Sequence, residues 1–136
     1  MKRFSSFIIL SLLIPLVCGK IKGEFAFQTP LDKAYRIKQE RLEFNVSDEI
    51  KWVYKFSSAP VKKTKLGIII MKKELGWVDI ISMPDYIDEM KRMVYGTIKE
   101  FEPGDYRIVI TEITEDKTTI IDKCDFYLFS DEEELD

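Results

Sequence analysis

The sequence contains no histidine. That removes the commonest general base, the Ser-His-Asp and Cys-His catalytic arrangements, and most zinc sites. Cysteine is nearly absent too, with only Cys18 and Cys124. Cys18 closes the N-terminal apolar segment, so the body of the chain holds one thiol and no internal disulfide. Six glycines are scattered singly, and none builds a phosphate-binding loop. No apolar run reaches the roughly 20 residues that cross a bilayer as a helix. Charge of one sign is lacking as well, because the net value is only −3. Setting aside Lys2, Arg3 and the five acids of the last six positions leaves nineteen basic and nineteen acidic residues. That balance excludes a nucleic-acid binder by bulk charge.

What is present begins with Met1-Lys2-Arg3, then an apolar run from Phe7 to Val17 interrupted by Ser11 and Pro15, then Cys18-Gly19-Lys20. A basic start, a short apolar stretch and a small-residue exit are the parts of a secretory signal. Residues 1–19 are therefore expected to be a signal peptide, with residues 20–130 as one domain and 131–136 as a solvated acidic tail. Val17 and Gly19 suit the −3 and −1 positions of a cleavage site. Cys18 offers a second route, since a cysteine ending an apolar run resembles a bacterial lipoprotein signal and would be lipidated. Val17 and Pro15 depart from the residues that signal prefers. The expected location is outside the cytoplasm, as a periplasmic, membrane-anchored or extracellular protein.

After the leader, apolar residues alternate with polar ones at the period of a strand. Phe25 and Phe27 open the pattern, and Leu42, Phe44 and Val46 follow. Ile50, Trp52, Tyr54 and Phe56 then share a face, with Lys51 and Lys55 opposite. Leu66 to Met71 is apolar on both faces, as in a doubly covered strand. Trp77 to Ile81 returns after a turn, Tyr106, Ile108 and Ile110 alternate, and Ile120 to Phe129 closes the series. Cys124 falls within that last pattern, which predicts a buried, inert thiol.

Ser82 to Met93 breaks the alternation. Pro84 suits a first helical turn, Asp85 and Asp88 its positive end, and Lys91 and Arg92 its negative end. Tyr86, Ile87, Met90, Met93 and Val94 share one side at helical spacing, so a short helical insert is expected near 84–92. An irregular edge strand with a loop is the competing reading. Seven to eight short strands at spacings near ten residues predict an all-β sandwich.

Two segments resemble the immunoglobulin-like and fibronectin type III-like superfold. Ile50-Lys51-Trp52-Val53-Tyr54-Lys55-Phe56 looks like a third strand that places its Trp between two sheets. Phe101-Glu102-Pro103-Gly104-Asp105-Tyr106-Arg107-Ile108 looks like the corner entering the penultimate strand, where a Tyr hydroxyl bonds back to upstream backbone. The resemblance implies an immunoglobulin-like β-sandwich and little about function. The missing disulfide pair and the helical-looking insert depart from antibody-type domains.

No spacing of carboxylates picks out a catalytic pair, and no cofactor or metal site is expected. Lys51, Lys55, Lys62, Lys63, Lys65, Lys72 and Lys73 fall on neighbouring predicted strands and their connection, and would form a basic face if those strands pair. Such a face would meet an acidic partner, a glycan or lipid headgroups. Equally, it would be a charged surface that discourages edge pairing. Trp77, beside the Gly76 turn, is a candidate contact aromatic that also suits the core. Asn45-Val46-Ser47 reads as a glycosylation sequon inside a strand. The sequence thus predicts an exported, non-enzymatic binding or envelope-associated accessory module. It would act through surface contact with an unknown protein or surface polymer, with its N-terminus as a membrane tether. Loops near Pro60 to Lys65 and the Met83 to Met93 insert are the expected contact regions. A structural subunit of a surface assembly and a small carboxylate-dependent hydrolase are the alternatives.

Overall fold

The structure, a computed structural model, describes residues 21–37, 41–58, 60 and 62–131. The expected leader with Cys18, and the acidic tail past Asp131, lie outside the described residues. Eight strands follow in chain order: β1 (Gly23–Gln28), β2 (Glu43–Asn45), β3 (Ile50–Phe56), β4 (Thr64–Lys73), β5 (Trp77–Ile87), β6 (Met93–Ile98), β7 (Gly104–Ile113) and β8 (Thr118–Phe129). They form a three-stranded sheet, β1-β3-β6, and a five-stranded sheet, β2-β8-β7-β4-β5. All pairings are antiparallel except that of β2 with β8.

One core lies between the sheets because each strand turns its alternate apolar residues inward. The smaller sheet supplies Phe27, Ile50, Trp52, Tyr54, Phe56, Val94 and Ile98. The larger sheet answers with Phe44, Leu66, Ile68, Ile70, Ile87, Tyr106, Ile108, Ile110, Phe126 and Leu128. Aromatic rings join the layers: Phe27 and Phe44 lie 5.5 Å apart between centroids. A polar link crosses at the rim, where the Tyr54 hydroxyl donates to Asp122 Oδ2 at 3.0 Å. Burial, and then that carboxylate, push the Tyr54 phenol well above its ordinary value.

The helix expected near 84–92 does not form. β5 continues through Pro84 to Ile87 and pairs with β4 from Lys73↔Trp77 to Thr64↔Ile87. Pro84 is tolerated because β5 is the outermost strand of its sheet, where a missing N–H breaks no interior ladder. Asp88 then makes a turn instead of charging a helix end. Its Oδ1 accepts from the Met90 and Lys91 amides, each at 2.8 Å, and its own amide donates to the Lys91 carbonyl at 3.0 Å. Short-range side-chain bonding of this kind favours turns over helices. Ile87 and Val94, which looked like one helical face, are the buried ends of two successive strands, and Met90 projects from the turn between them at 93% exposure.

Two irregularities set the register of the larger sheet. One leaves Ile80 as an extra residue in β5, and the other leaves Ile121 extra in β8. The bulge at Ile121 lets Asp122 reach Tyr54. It also places Arg107 opposite Asp125; counting from the β7–β8 tip without the bulge would set it opposite Cys124.

Candidate contact surfaces

Lys62, Lys63, Lys65, Lys72, Lys73 and Trp77, the candidate contact residues, do not lie together. β4 runs the length of its sheet, so Lys65 and Lys73 are about 26 Å apart at the rise of a strand. Lys62, Lys63 and Lys65 stand at one pole of the domain, and Lys72, Lys73 and Trp77 at the other. Both loop regions expected to make contacts, by contrast, do meet. The β3–β4 connection and the β5–β6 turn share the first pole, where Phe56 N donates to the Arg92 carbonyl at 2.9 Å.

At this pole Tyr86 is the centre. The Lys63 ammonium lies 4.2 Å from its ring centroid and that of Lys91 lies 4.8 Å away. Both distances are within reach of cation–π attraction. Lys91 is also tied to Asp85 Oδ1 at 2.6 Å and to the Tyr86 carbonyl at 3.0 Å. Its charge is therefore compensated locally. Lys62, Lys63 and Lys65 are exposed, and no ion pair among the described residues engages them. Beside them Lys63, Lys65, Pro84, Asp85 and Tyr86 line an open hollow of about 580 Å³. An amphipathic ring on an edge strand, flanked by unpaired cations, is suited to contact with an anionic surface.

The opposite pole is internally satisfied. Lys72 is largely covered, reaching Glu102 at 3.2 Å and Glu74 at 3.7 Å, and its ammonium lies 5.9 Å from the Tyr106 ring. The bond to Glu102 raises its affinity for the proton. Trp77 is half-buried on the outer face of the larger sheet beneath Arg107, whose guanidinium carbon lies 4.1 Å from the ring. Arg107 makes two bonds to Asp125, at 2.6 Å and 3.0 Å, and that pairing holds the Asp125 carboxyl below its ordinary range. This pair was not legible from residue order, because the bulge at Ile121 decides which residues face each other. The nearby depression is only about 190 Å³, below the 300–1,000 Å³ usual for small-molecule sites.

Other side chains singled out from the sequence have structural duties. Trp52 is fully buried. Asn45 closes β2 by accepting from the Ser47 amide at 3.0 Å and donating to Asp131 at 2.8 Å. Cys124 is half-buried, and burial pushes its thiol up to about 12, with Asp125 and Asp122 adding to the effect. The thiol therefore stays protonated and unreactive at neutral pH. Among the described residues no group of His, Cys, Asp and Glu is arranged to hold a metal. No helix among them is long and apolar enough to cross a membrane.

No family model matches the chain, and neither does any curated protein sequence. Among solved structures, the soluble domain of PmoD from Methylocystis sp. ATCC 49242 (Rockwell) aligns with a TM-score of 0.57. The alignment covers 77% of this chain and 89% of that one at 11% identity. At that identity the likeness shows a shared fold and nothing of function.

Proposed function

We propose that this chain is an exported, non-enzymatic accessory module of a cell envelope. It is an immunoglobulin-like sandwich that works by surface contact through the pole carrying Lys62, Lys63, Lys65 and Tyr86. The observation that carries the reading is the Tyr86 cluster, where a ring flanked by two ammonium groups opens onto a hollow bordered by unpaired lysines. The strand order supports the architectural part. β1-β3-β6 facing β8-β7-β4-β5 corresponds to strands A-B-E facing G-F-C-C′ of immunoglobulin-like domains. On that correspondence Trp52 belongs to the second strand of the superfold, not the third. The corner at Tyr106 also supports it, since its hydroxyl donates to the Glu102 carbonyl at 2.6 Å. The basic, then apolar, then small-residue order of residues 1–19 supports export.

A photo-reactive phenylalanine analogue at position 86, in chain recovered from envelopes of the producing cell, tests the reading. Adducts are expected from position 86 and not from position 95, which is exposed on the outer face of the smaller sheet. The combined variant Lys62→Glu, Lys63→Glu, Lys65→Glu should remove at least nine-tenths of them. The same preparation, read by mass spectrometry, should begin at Lys20 or at a lipid-bearing Cys18. Equal adducts from both positions, or an intact Met1 in every molecule, would contradict the proposal.

A further inference from the structure

The N-terminal segment leaves the domain from the same pole as the unpaired lysines. The Lys22 carbonyl accepts from both the amide and the hydroxyl of Ser57, each at 2.9 Å. The neighbouring Phe56 amide donates to Arg92. Lys22, Ser57 and Arg92 are thus side by side across the end of the smaller sheet, next to the connection bearing Lys62 and Lys63. Cys18 precedes Lys22 by four residues, so a chain held there could span at most about 14 Å. Any membrane attachment through the leader would bring this pole, and not the other, to the lipid surface.

We infer that this pole rests on an anionic membrane surface, with Lys22, Lys62, Lys63, Lys65 and Arg92 facing the headgroups and Met90 at the interface. The inference depends on the envelope reading above and names the surface that the pole meets. Charge distribution favours lipid as the occupant. From Lys55 to Lys65, at this pole, there are four lysines and no Asp or Glu. Asp131 lies beyond β8, at the opposite pole, with Glu74, Glu102 and Asp105. A domain so polarised turns its basic end toward a negative plane and its acidic end away from it. Each basic side chain close to such a plane strengthens the attraction roughly fivefold, and the effect fades within about 10 Å. A 14 Å leash keeps the lysines near that range. Met90, almost wholly exposed and followed by Lys91 and Arg92, has the apolar tip and basic flank of an interfacial contact.

Not every group at this pole is basic. Asp85 is occupied by Lys91, and Asp88 by turn amides, while Glu24 and Glu89 are exposed. Glu115 and Asp116 sit in the β7–β8 hairpin, on the side of the larger sheet away from β5. Repulsion there would tilt the domain onto its β4–β5–β6 corner.

The full chain, leader included, should be bound to vesicles of phosphatidylcholine alone and to vesicles with 30% phosphatidylglycerol. Brief amine acetylation, mapped by mass spectrometry, then reads each lysine. Lys62, Lys63 and Lys65 should react at least threefold more slowly on the anionic vesicles, Lys73 and Lys99 equally on both, and 0.5 M salt should remove the difference. Flotation on the uncharged vesicles reads the tether separately. A chain that does not float there has lost its tether, while protection on anionic vesicles still supports the basic pole. Equal reactivity of Lys62, Lys63 and Lys65 on both vesicles overturns the inference and assigns those lysines to an acidic protein or polymer. Replacing Lys62, Lys63 and Lys65 by glutamate should abolish the salt-sensitive protection of Lys22 on the anionic vesicles without altering the reactivity of Lys73.

Discussion

Replacing Trp52 with alanine is expected to destabilise the domain by about 3–5 kcal/mol, the usual loss for a large aromatic removed from a core. Trp52 is wholly buried in the centre of β3, between β1 and β6. A domain of this size is stable by only about 5–15 kcal/mol, so the variant should melt roughly 12–20 °C lower or fail to fold at 37 °C. The Trp52 strand is the middle one of the three-stranded sheet, so the loss falls at the centre of the core. Two companion variants separate packing from polarity. Trp52 Nε1 is buried without a hydrogen-bond partner among the described residues, which costs about 1–3 kcal/mol in the native state. Trp52→Phe removes that unpaired donor together with part of the ring, and should cost less than half as much as Trp52→Ala.

Gly96 completes the same site from β6. A Cβ there would lie 2.8 Å from Trp52 Nε1 and 2.9 Å from two ring carbons. Gly96→Ala should therefore destabilise by about 1–3 kcal/mol in the native background and by much less once Trp52 is alanine. Additive losses in urea titrations of the four proteins, or a Trp52→Ala loss below about 1 kcal/mol, would contradict the assignment of Trp52 as the anchor between the sheets.

That anchor was legible from sequence because a strand's side chains alternate, and Ile50, Trp52, Tyr54 and Phe56 left no other side for the apolar face. The same logic failed between Ser82 and Met93. Tyr86, Ile87, Met90, Met93 and Val94 fit a helical period, but a strand end, a turn and a strand start produce the same spacing when the turn is short. Only pairing to β4 decides between them, and pairing is a long-range property. The basic face failed for a related reason. Lysines adjacent in sequence at both ends of one ten-residue strand become the two poles of the fold. The meeting of Lys63 with Tyr86 was half visible, since both regions were singled out and nothing local indicated that β4 and β5 would bring them together. Arg107, Asp125 and Trp77 were not visible as a group at all, because the extra residue Ile121 shifts the register between them.

The corner at Tyr106 should give the second large effect, in a form that separates ring from hydroxyl. Its ring stacks on Phe126 at 5.4 Å and packs against Phe101 at 5.3 Å, and its hydroxyl donates to the Glu102 carbonyl at 2.6 Å. The turn holding these groups passes through Gly104 at φ +149°, a conformation other residues rarely adopt. Tyr106→Ala is expected to cost about 3–5 kcal/mol, and Tyr106→Phe about 1 kcal/mol for the lost hydrogen bond. Alkaline titration distinguishes the hydroxyl from mere bulk. Burial raises the Tyr106 phenol above its ordinary value, and the nearby Lys72 charge opposes that shift without cancelling it. Above about pH 10 the unfolded chain releases the phenolic proton while the folded chain retains it. The folded state then binds more protons, so stability falls as pH rises from that point. Tyr106→Phe should flatten part of this decline above about pH 10, with the remainder due to Tyr54, whose phenol is also raised. An unchanged alkaline slope in the phenylalanine variant would mean that the hydroxyl takes no part in closing the corner.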